Sequence, residues 1–344
     1  MTGGDTMAER EEEDTKRTTY AERAERPERT IRVRVPGTSA NLGAGFDTLG
    51  LACDIYNELE LTLTHAPGLS FSIKGEGAGR IPEDERNIVW RSVRLLLERA
   101  HRDHEYRGAI IRMKNDVPLS RGLGSSAAAI VAGLKAANAL LYNHFNRREI
   151  LHLATEIEGH PDNVAPAIFG GFTVSTTKGR HVDTFAFLPR LRLRFVVAVP
   201  DFYLPTKKAR EVLPETVPRA DAIFNIGRAS MLIASLMKGS PQFLRHALDD
   251  ALHQPYRAKL IPGMYDVFRA AREAGALGTV LSGAGPCLIA FALEHDHQEE
   301  AIGRAMQEAF AQHGVQAEIK QLGLDTKGAH IINPGRHAQE KEGA

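Results

Sequence analysis

The sequence predicts an α+β fold in two domains. The chain has 344 residues, 43% of them hydrophobic, which is enough to bury a core in each of two domains. In the first half, strand patterns precede helical patterns in a mixed order, which argues against a regularly alternating parallel sheet. Toward the C-terminus a strand–helix–strand order favours an α+β layer as the second domain.

Charge and composition limit the classes of partner. The 43 basic and 43 acidic side chains give a net charge of zero, so no general attraction to nucleic acid or to a membrane surface is indicated. No apolar run reaches the roughly 20 residues that cross a bilayer, and no signal peptide is recognised. The two cysteines, Cys53 and Cys287, lie far apart without metal-ligand spacing. This usage suits a reducing compartment, and we expect a cytoplasmic location.

The ends of the chain differ from its centre. Residues 1–29 are rich in Glu, Arg, Thr and Asp and hold few apolar side chains, so burial cannot offset the entropy of ordering them. We expect disordered tails over 1–29 and 335–344. Between them we expect an N-terminal domain over 30–190 and a C-terminal domain over 191–334.

The elements follow from hydrophobic periodicity. Alternation with period two predicts strands, and apolar residues on one helical face predict helices. In the first half we expect strands over 31–35, 57–63, 69–73 and 109–113, the second and third of them antiparallel, and a helix over 87–100. In the second half we expect strands over 195–199, 278–281, 287–291, 316–320 and 329–332, and helices over 222–238, 242–252, 263–274 and around residues 302–310.

The stretch 117–129 (VPLSRGLGSSAAA) has the residue types of an anion site. Gly122 and Gly124 let the backbone bend toward a ligand, and the paired serines begin an Ala-rich helix that runs through Asn143. The unpaired N–H groups at a helix N-terminus bind phosphate readily. A glycine turn with a serine N-cap is the alternative, yet one serine suffices as a cap and the other leaves a hydroxyl for a metal ion. No Lys precedes either serine, so this is not the lysine-bearing phosphate loop.

Two polar segments flank this stretch. Pro36-Gly37 is expected to end the first strand, and 38–47 then forms a glycine-bearing loop of the kind that concentrates ligand contacts, or a plain surface loop. After a helix over 147–158, Pro161 is expected to leave Asp162 and Asn163 in the following turn, with Glu158 near the helix end. The alternatives are an Asx-turn for Asp162 and a solvated helix end for Glu158.

Four further features leave alternatives open. His160 is either a general base or, more simply, a structural turn residue. The cations of 204–210 either clamp a carboxylate or phosphate, or form a solvated basic turn. Arg257 is expected to be exposed on a turn. The segment 282–286 is either a tight glycine turn or a second backbone approach to the 117–129 stretch.

Three of these motifs, at 36–47, 118–128 and 281–287, resemble those of the GHMP kinase superfamily. PGTSANLGAGFD at 36–47, HPDNVAP at 160–166 and TKKAR at 206–210 resemble the versions of the homoserine kinase family. The resemblance covers about residues 31–333. It implies a two-domain GHMP kinase fold, with an N-terminal mixed α/β ATP-binding domain and a C-terminal ferredoxin-like α+β domain. The implied reaction transfers the ATP γ-phosphate to the side-chain hydroxyl of L-homoserine, giving O-phospho-L-homoserine for threonine synthesis.

The resemblance also implies roles for single residues. Ser126 and Glu158 would hold Mg²⁺, and with Asp162 they would be the catalytic residues. Asp162 would orient homoserine first and accept a proton second, and Asn87 would lie by the adenine. Homoserine would be surrounded by Asn41, Asp162, Asn163, Thr206, Arg210 and Arg257, the arginines binding its carboxylate. The ATP phosphates would be cradled by backbone amides of Pro118, Leu119, Ser120, Arg121, Gly122, Leu123, Gly124, Ser125, Ser126, Ala127 and Ala128.

This sequence departs from some family members at two places. Arg121 stands where a small residue is common and could add a cation near the phosphates, and only three residues separate Glu158 from Asp162, where a longer insertion is common. The expected partners are ATP and L-homoserine, without nucleic acid or membrane, and a homodimer is left open. Two other functions remain: a GHMP kinase for mevalonate, a sugar or shikimate, and a non-catalytic nucleotide sensor.

Overall fold

Residues 29–179 and 181–332 are described by a computed structural model in which helices pack on two β-sheets. The tails expected over residues 1–29 and 335–344 lie outside these ranges, apart from residue 29. The strands are β1 Thr30–Ala40, β2 Leu49–Thr64, β3 Gly68–Gly75, β4 Gly108–Asn115, β5 Phe172–Lys178, β6 His181–Phe187, β7 Leu193–Pro200, β8 Gly278–Leu281, β9 Leu288–Leu293, β10 Ala317–Gly323 and β11 His330–Ile331. The helices are α1 Ile88–Arg99, α2 Ser125–Leu140, α3 Arg147–Glu158, α4 Pro161–Phe169, α5 Thr206–Glu211, α6 Arg219–Lys238, α7 Leu244–Ala247, α8 Gln254–Arg257, α9 Met264–Glu273 and α10 Glu299–Gln312.

The first sheet has the strand order β11-β1-β2-β4-β3, and β5 pairs with both β2 and β6. Its pairings are antiparallel except that of β3 with β4, which is parallel. The predicted antiparallel pair, β2 and β3, is therefore not a hydrogen-bonded pair, because β4 lies between the two strands. The hairpin of β5 and β6 was not predicted.

The first strand does not end at Pro36-Gly37. Its pairing with β2 shifts register between these two residues and then continues to Ala40. Proline lacks an N–H group for the ladder, and a bulge accommodates it without ending the strand. Thr38 and Ser39 are consequently buried, which excludes the plain surface loop for these two residues. The extended strand carries Asn41 to the boundary between the two sheets.

Helices α1 to α4 share a hydrophobic core with the first sheet. In α2 seven of the 16 residues are alanine and 13 are buried, so its neighbours α1 and α3 approach closely. This helix ends at Leu140, three residues before the predicted end, because Tyr142 and Asn143 have positive φ angles of 57° and 59°. The predicted bounds of α3 agree with the structure, and α1 differs from its prediction by one residue at each end.

The second sheet has the order β10-β7-β9-β8 and is fully antiparallel. With α9 and α10 packed on one face, it forms the α+β layer that the strand–helix–strand order predicted and the ferredoxin-like domain that the family resemblance implied. Its other face, which includes Phe195 and Phe291, packs with Leu51 and Leu123 of the first half of the chain. The two sheets thus share a hydrophobic core, and β11 returns to pair with β1.

Several helix predictions need correction. Pro161 begins α4 rather than leaving a turn, because proline fits the first position of a helix. The basic segment 204–210 contains α5. The helix expected over 242–252 is reduced to the 3₁₀ turn Pro241–Phe243 and the short α7. None of the helices within 29–179 and 181–332 is long and apolar enough to span a bilayer.

Cys53 and Cys287 are both free and fully buried. Burial is the main cause that raises the pKa of each thiol, so neither is ionised near neutral pH. We expect neither thiol to react with a chromogenic disulfide reagent in the native protein and both to react in guanidinium. Rapid reaction of one thiol without denaturant would contradict this burial.

Candidate active site

The glycine–serine stretch forms an open helix N-terminus. Gly124 is the N-cap residue of α2, in the left-handed conformation, and no side chain caps the helix. The alternative of a serine N-cap is therefore excluded: Ser125 and Ser126 lie in the first turn, and both line a cleft of about 170 Å³. The N–H groups of this turn and the Ser125 hydroxyl are together available to an anion.

Both glycines of the loop are required by close contacts. At Gly124, with a φ of 67°, a Cβ atom would lie 1.9 Å from the Thr38 hydroxyl oxygen. At Gly122, with a φ of 89°, it would lie 2.3 Å from the carbonyl oxygen of Ser282. The loop is therefore pressed between the end of β1 and the turn after β8.

The turn after β8 supports the loop and enters the cleft. The Ser282 hydroxyl donates to the carbonyl of Gly122 at 2.6 Å, and Cys287 N–H donates to the carbonyl of Arg121 at 3.0 Å. Gly283 and Gly285 line the cleft. Of the two interpretations of this segment, the structure confirms the backbone approach to the 117–129 stretch.

Ser126 and Glu158 meet at the cleft. The Ser126 hydroxyl donates to Oε2 of Glu158 at 3.0 Å, where α3 ends at the left-handed C-cap Gly159. Burial raises the pKa of Glu158, although the Ser126 hydrogen bond and the charge of His160 oppose this. The pair offers two hard oxygen donors beside the anion site, which are the donors that Mg²⁺ prefers.

The first turn of α4 carries a buried acid. Asp162 is 1% exposed, and its carboxylate accepts hydrogen bonds from Nδ1 of His160 and, at 3.4 Å, from Nδ2 of Asn163. Oδ1 of Asn163 accepts from the Thr38 hydroxyl at 2.9 Å. Burial lowers the pKa of His160, but the hydrogen bond and charge of Asp162 outweigh it, so the pKa is raised. Both neighbours therefore hold the Asp162 carboxylate in place.

Arg210 lies opposite, paired with an acid that sequence reasoning missed. Its Nη1 and Nη2 donate to the two oxygens of Asp47 at 3.1 and 2.8 Å. The hydrogen bonds of Asp47 raise the pKa of Arg210. Ligand atoms of Asp47, His160 and Asp162 lie within 4.8 Å of one another, so two carboxylates converge here.

Arg257 is not exposed on a turn but only 1% exposed, at the end of α8. Its Nε donates to the carbonyl of Ala209, and its Nη1 donates to the carbonyl of Gly283, each at 3.1 Å. Burial, with the charge of Arg210, lowers the pKa of Arg257 to about 10. The guanidinium carbons of Arg257 and Arg210 lie 5.3 and 5.8 Å from the ring centroid of Phe46, which sequence reasoning also missed.

The remaining predicted residues either line the cleft or lie outside it. Asn41 lines the cleft, but its amide donates to the carbonyl of Gly283 and accepts from Asp47 N–H. Its main role is therefore to connect the loop after β1 to the turn after β8. Asn87 caps α1 through Val89 N–H and is fully buried. Cleft-lining residues from the predicted set also include Leu119, Ser120, Gly122, Gly124, Asn163 and Thr206, whereas Leu123, Ala127 and Ala128 are buried in the core.

Arg121 does not face the cleft. With Pro118 it lines a separate cavity of about 590 Å³, and its guanidinium carbon lies 4.4 Å from the ring centroid of Tyr203. Arg80 stacks on the same ring at 4.3 Å. The expectation that Arg121 adds a cation beside the phosphates is therefore not met by this arrangement.

Comparison with known proteins identifies the family. Residues 87–171 match the GHMP kinases N terminal domain and residues 232–312 match the GHMP kinases C terminal model. A homoserine kinase of Carboxydothermus hydrogenoformans is 45% identical over 302 residues, which cover 88% of this chain and 97% of the relative. The chain belongs to the homoserine kinase family. A homoserine kinase of Moorella thermoacetica is 44% identical over 87% of this chain and 99% of its own length.

Solved structures agree with this membership of the homoserine kinase family. The crystal structure of homoserine kinase from Cytophaga hutchinsonii aligns with a TM-score of 0.80 and 32% identity, covering 88% of this chain and 97% of that chain. A mevalonate kinase from L. major aligns with a TM-score of 0.63 at 18% identity over 90% and 97% of the two chains, which shows the shared fold alone. The α+β GHMP kinase fold predicted from the sequence is thereby confirmed.

Proposed function

We propose that this chain is a homoserine kinase that transfers the γ-phosphate of ATP to the side-chain hydroxyl of L-homoserine. One observation carries the substrate assignment. Two guanidinium groups, Arg210 and Arg257, and two carboxylates, Asp47 and Asp162, line one cleft beside the open N-terminus of α2. An amino acid brings a carboxylate and an ammonium group together, and such a charge-balanced cleft complements both.

ATP would bind with its terminal phosphates at the first turn of α2. Backbone N–H groups of this turn, freed by the glycine N-cap, would bind phosphate oxygens. The oxygen donors Ser126 and Glu158 would hold Mg²⁺, which supplies charge neutralisation at the phosphates. The hydrogen bond between these two side chains supports their assignment as one site.

Homoserine would lie across the cleft from the phosphates. Arg257 and Arg210 would bind its carboxylate, Arg210 after exchanging one oxygen of Asp47 for the substrate. Asp47 and Asp162 would bind its ammonium and hydroxyl groups. Phosphoryl transfer has a loose transition state, so positioning the hydroxyl in line with the phosphate supplies most of the catalysis.

Asp162→Asn is expected to lower kcat by less than the roughly 10²–10⁴-fold typical of a lost general base. The reason is that the Asp162 carboxylate is already bound by His160 and Asn163, which suits orientation better than proton uptake. Steady-state kinetics measures the change, with the exposed Asp183→Asn on β6 as the control. A larger fall with unchanged homoserine binding would assign Asp162 as the base.

Coupled ADP release with a panel of alcohols tests the function. We expect ATP-dependent turnover with L-homoserine and much slower turnover with mevalonate, shikimate or a sugar. Turnover of one of these alcohols but not of homoserine would reject the proposal. ATP binding without any turnover would favour the nucleotide sensor.

Two broader proposals accompany the activity. The two free, buried thiols support a reducing compartment, and we propose a cytoplasmic location. We also propose the domain boundary near residue 190, because β6 of the first sheet ends at Phe187 and β7 of the second begins at Leu193.

A further inference from the structure

His253 is a buried histidine to which the proposed reaction gives no role. It is 0% exposed and precedes α8, four residues before Arg257. Its Nε2 lies 2.9 Å from the carbonyl oxygen of Gly43, and its Nδ1 lies 3.2 Å from Nη1 of Arg257. It therefore joins the loop after β1 to the buried arginine of the cleft.

These two contacts define the tautomer of His253. A carbonyl oxygen only accepts, so Nε2 carries the proton and donates to Gly43. A guanidinium only donates, so Nδ1 is the unprotonated acceptor for Arg257. A doubly protonated ring would place an N–H group against the Nη1 group of Arg257. Burial lowers the pKa of His253 and the charge of Arg257 adds to this, which outweighs the opposing charge of Asp250.

The acid nearest to His253 is occupied elsewhere. Asp250 accepts from the backbone N–H groups of His253 and Gln254 at 2.9 and 2.7 Å, and so caps α8. Its distance of 3.6 Å from Nε2 of His253 is longer than a hydrogen bond. The ring itself stacks on Phe46 with centroids 5.2 Å apart. This stacking and the contacts of the two ring nitrogens together fix the orientation of the imidazole.

His253 also determines which donors of Arg257 remain for a ligand. Nε is bound by Ala209, and Nη1 is bound by Gly283 and His253. Within the described residues no acceptor is paired with Nη2, which leaves this nitrogen as the free donor of the cleft-lining guanidinium. Arg257 therefore offers a single-nitrogen contact rather than a bidentate fork.

We propose that His253 is a positioning residue, which accepts a hydrogen bond from Arg257 and thereby aims Nη2 at the substrate carboxylate. This inference rests on the proposed function, because it takes the ligand of Arg257 to be the carboxylate of homoserine. His253 does not touch the substrate. It acts through the arginine and through its link to the loop that carries Phe46 and Asp47.

Two amide substitutions distinguish the two hydrogen bonds of the His253 ring. Asn in place of His253 can present its oxygen near the position of Nδ1 and keep the acceptor for Arg257, while losing the bond to Gly43. Gln can place its amide nitrogen near the position of Nε2 and keep the bond to Gly43, while losing the acceptor. Both variants lose the stacking on Phe46, so each is the matched control of the other.

The test compares KM for homoserine, KM for ATP and kcat in these variants. We expect His253→Gln to raise KM for homoserine roughly tenfold, the effect of losing one hydrogen bond to a charged group, with KM for ATP and kcat nearly unchanged. We expect His253→Asn to stay within about threefold of the wild type. In an Arg257→Met background, His253→Gln should change KM by less than about twofold, because the two residues act as one unit.

The inference would be overturned if His253→Gln had the wild-type KM for homoserine, or if the Gln and Asn variants raised this KM equally. It would also be overturned if His253→Gln changed this KM as much in the Arg257→Met background as in the wild type. Thermal unfolding verifies that the variants fold, and His253→Leu replaces His253→Gln if the latter does not fold. A wild-type protein that does not phosphorylate homoserine would instead reject the proposed function, so the two failures are distinguishable.

Discussion

Glu158→Gln is expected to lower kcat by about 10²- to 10³-fold, because charge neutralisation by a bound metal is worth several kcal/mol and each 1.4 kcal/mol is about tenfold in rate. The amide keeps the size of the side chain and its bond to Ser126 but removes the negative charge. The Mg²⁺ concentration that gives half-maximal rate should rise in parallel. Steady-state kinetics across a Mg²⁺ titration measures both quantities.

The matched control is Glu156→Gln on the same helix. Glu156 is half-exposed and pairs with Arg99 at 2.7 Å, away from the cleft, and such surface pairs contribute little. Its kinetics should remain those of the wild type. If Glu158→Gln kept the wild-type rate and Mg²⁺ requirement, the assignment of Glu158 as a metal ligand would be wrong.

Arg257→Met is expected to raise KM for homoserine by about 30-fold or more, because removing one partner of a buried charge pair costs at least about 2 kcal/mol. The methionine side chain is similar in length to that of arginine but carries no charge. KM for ATP should change little, since ATP is expected at the N-terminus of α2. Initial-rate kinetics with each substrate varied in turn separates the two constants.

Lys208→Met on α5 is the control, because Lys208 is an exposed cation near the same cleft. The Arg257 variant also leaves the carbonyls of Ala209 and Gly283 without this donor, so its thermal unfolding must be compared with that of the wild type. A folded Arg257→Met variant with an unchanged KM for homoserine would contradict the carboxylate site.

Local sequence signals predicted the parts of the site that depend on neighbouring residues. The 117–129 stretch was predicted as an open helix N-terminus because glycines and small residues determine backbone conformation locally. Helix α3 was predicted with its observed bounds, and its end places Glu158. Ser126 and Glu158, 32 residues apart, were matched through the family resemblance, and the structure brings them into contact.

The features of the site that the sequence did not predict depend on contacts between residues that are far apart in the chain. Asp47 and Arg210 are 163 residues apart, and nothing in either segment shows that they pair. Arg257 resembles an exposed turn residue until α8 packs against Gly283 and Phe46, which local polarity does not indicate. Pro36 ends a strand in isolation, yet the long partner β2 continues beyond the bulge and keeps β1 paired.

Phosphorus NMR of a mixture of the protein, ATP, Mg²⁺ and L-homoserine tests the central claim most directly, because it identifies the acceptor of the phosphate. We predict that the γ-phosphate signal of ATP declines while a phosphomonoester signal grows, with coupling to the side-chain methylene protons of homoserine. Formation of inorganic phosphate alone, or of a phosphate on another group of homoserine, would contradict the proposed alignment of the hydroxyl with the α2 N-terminus.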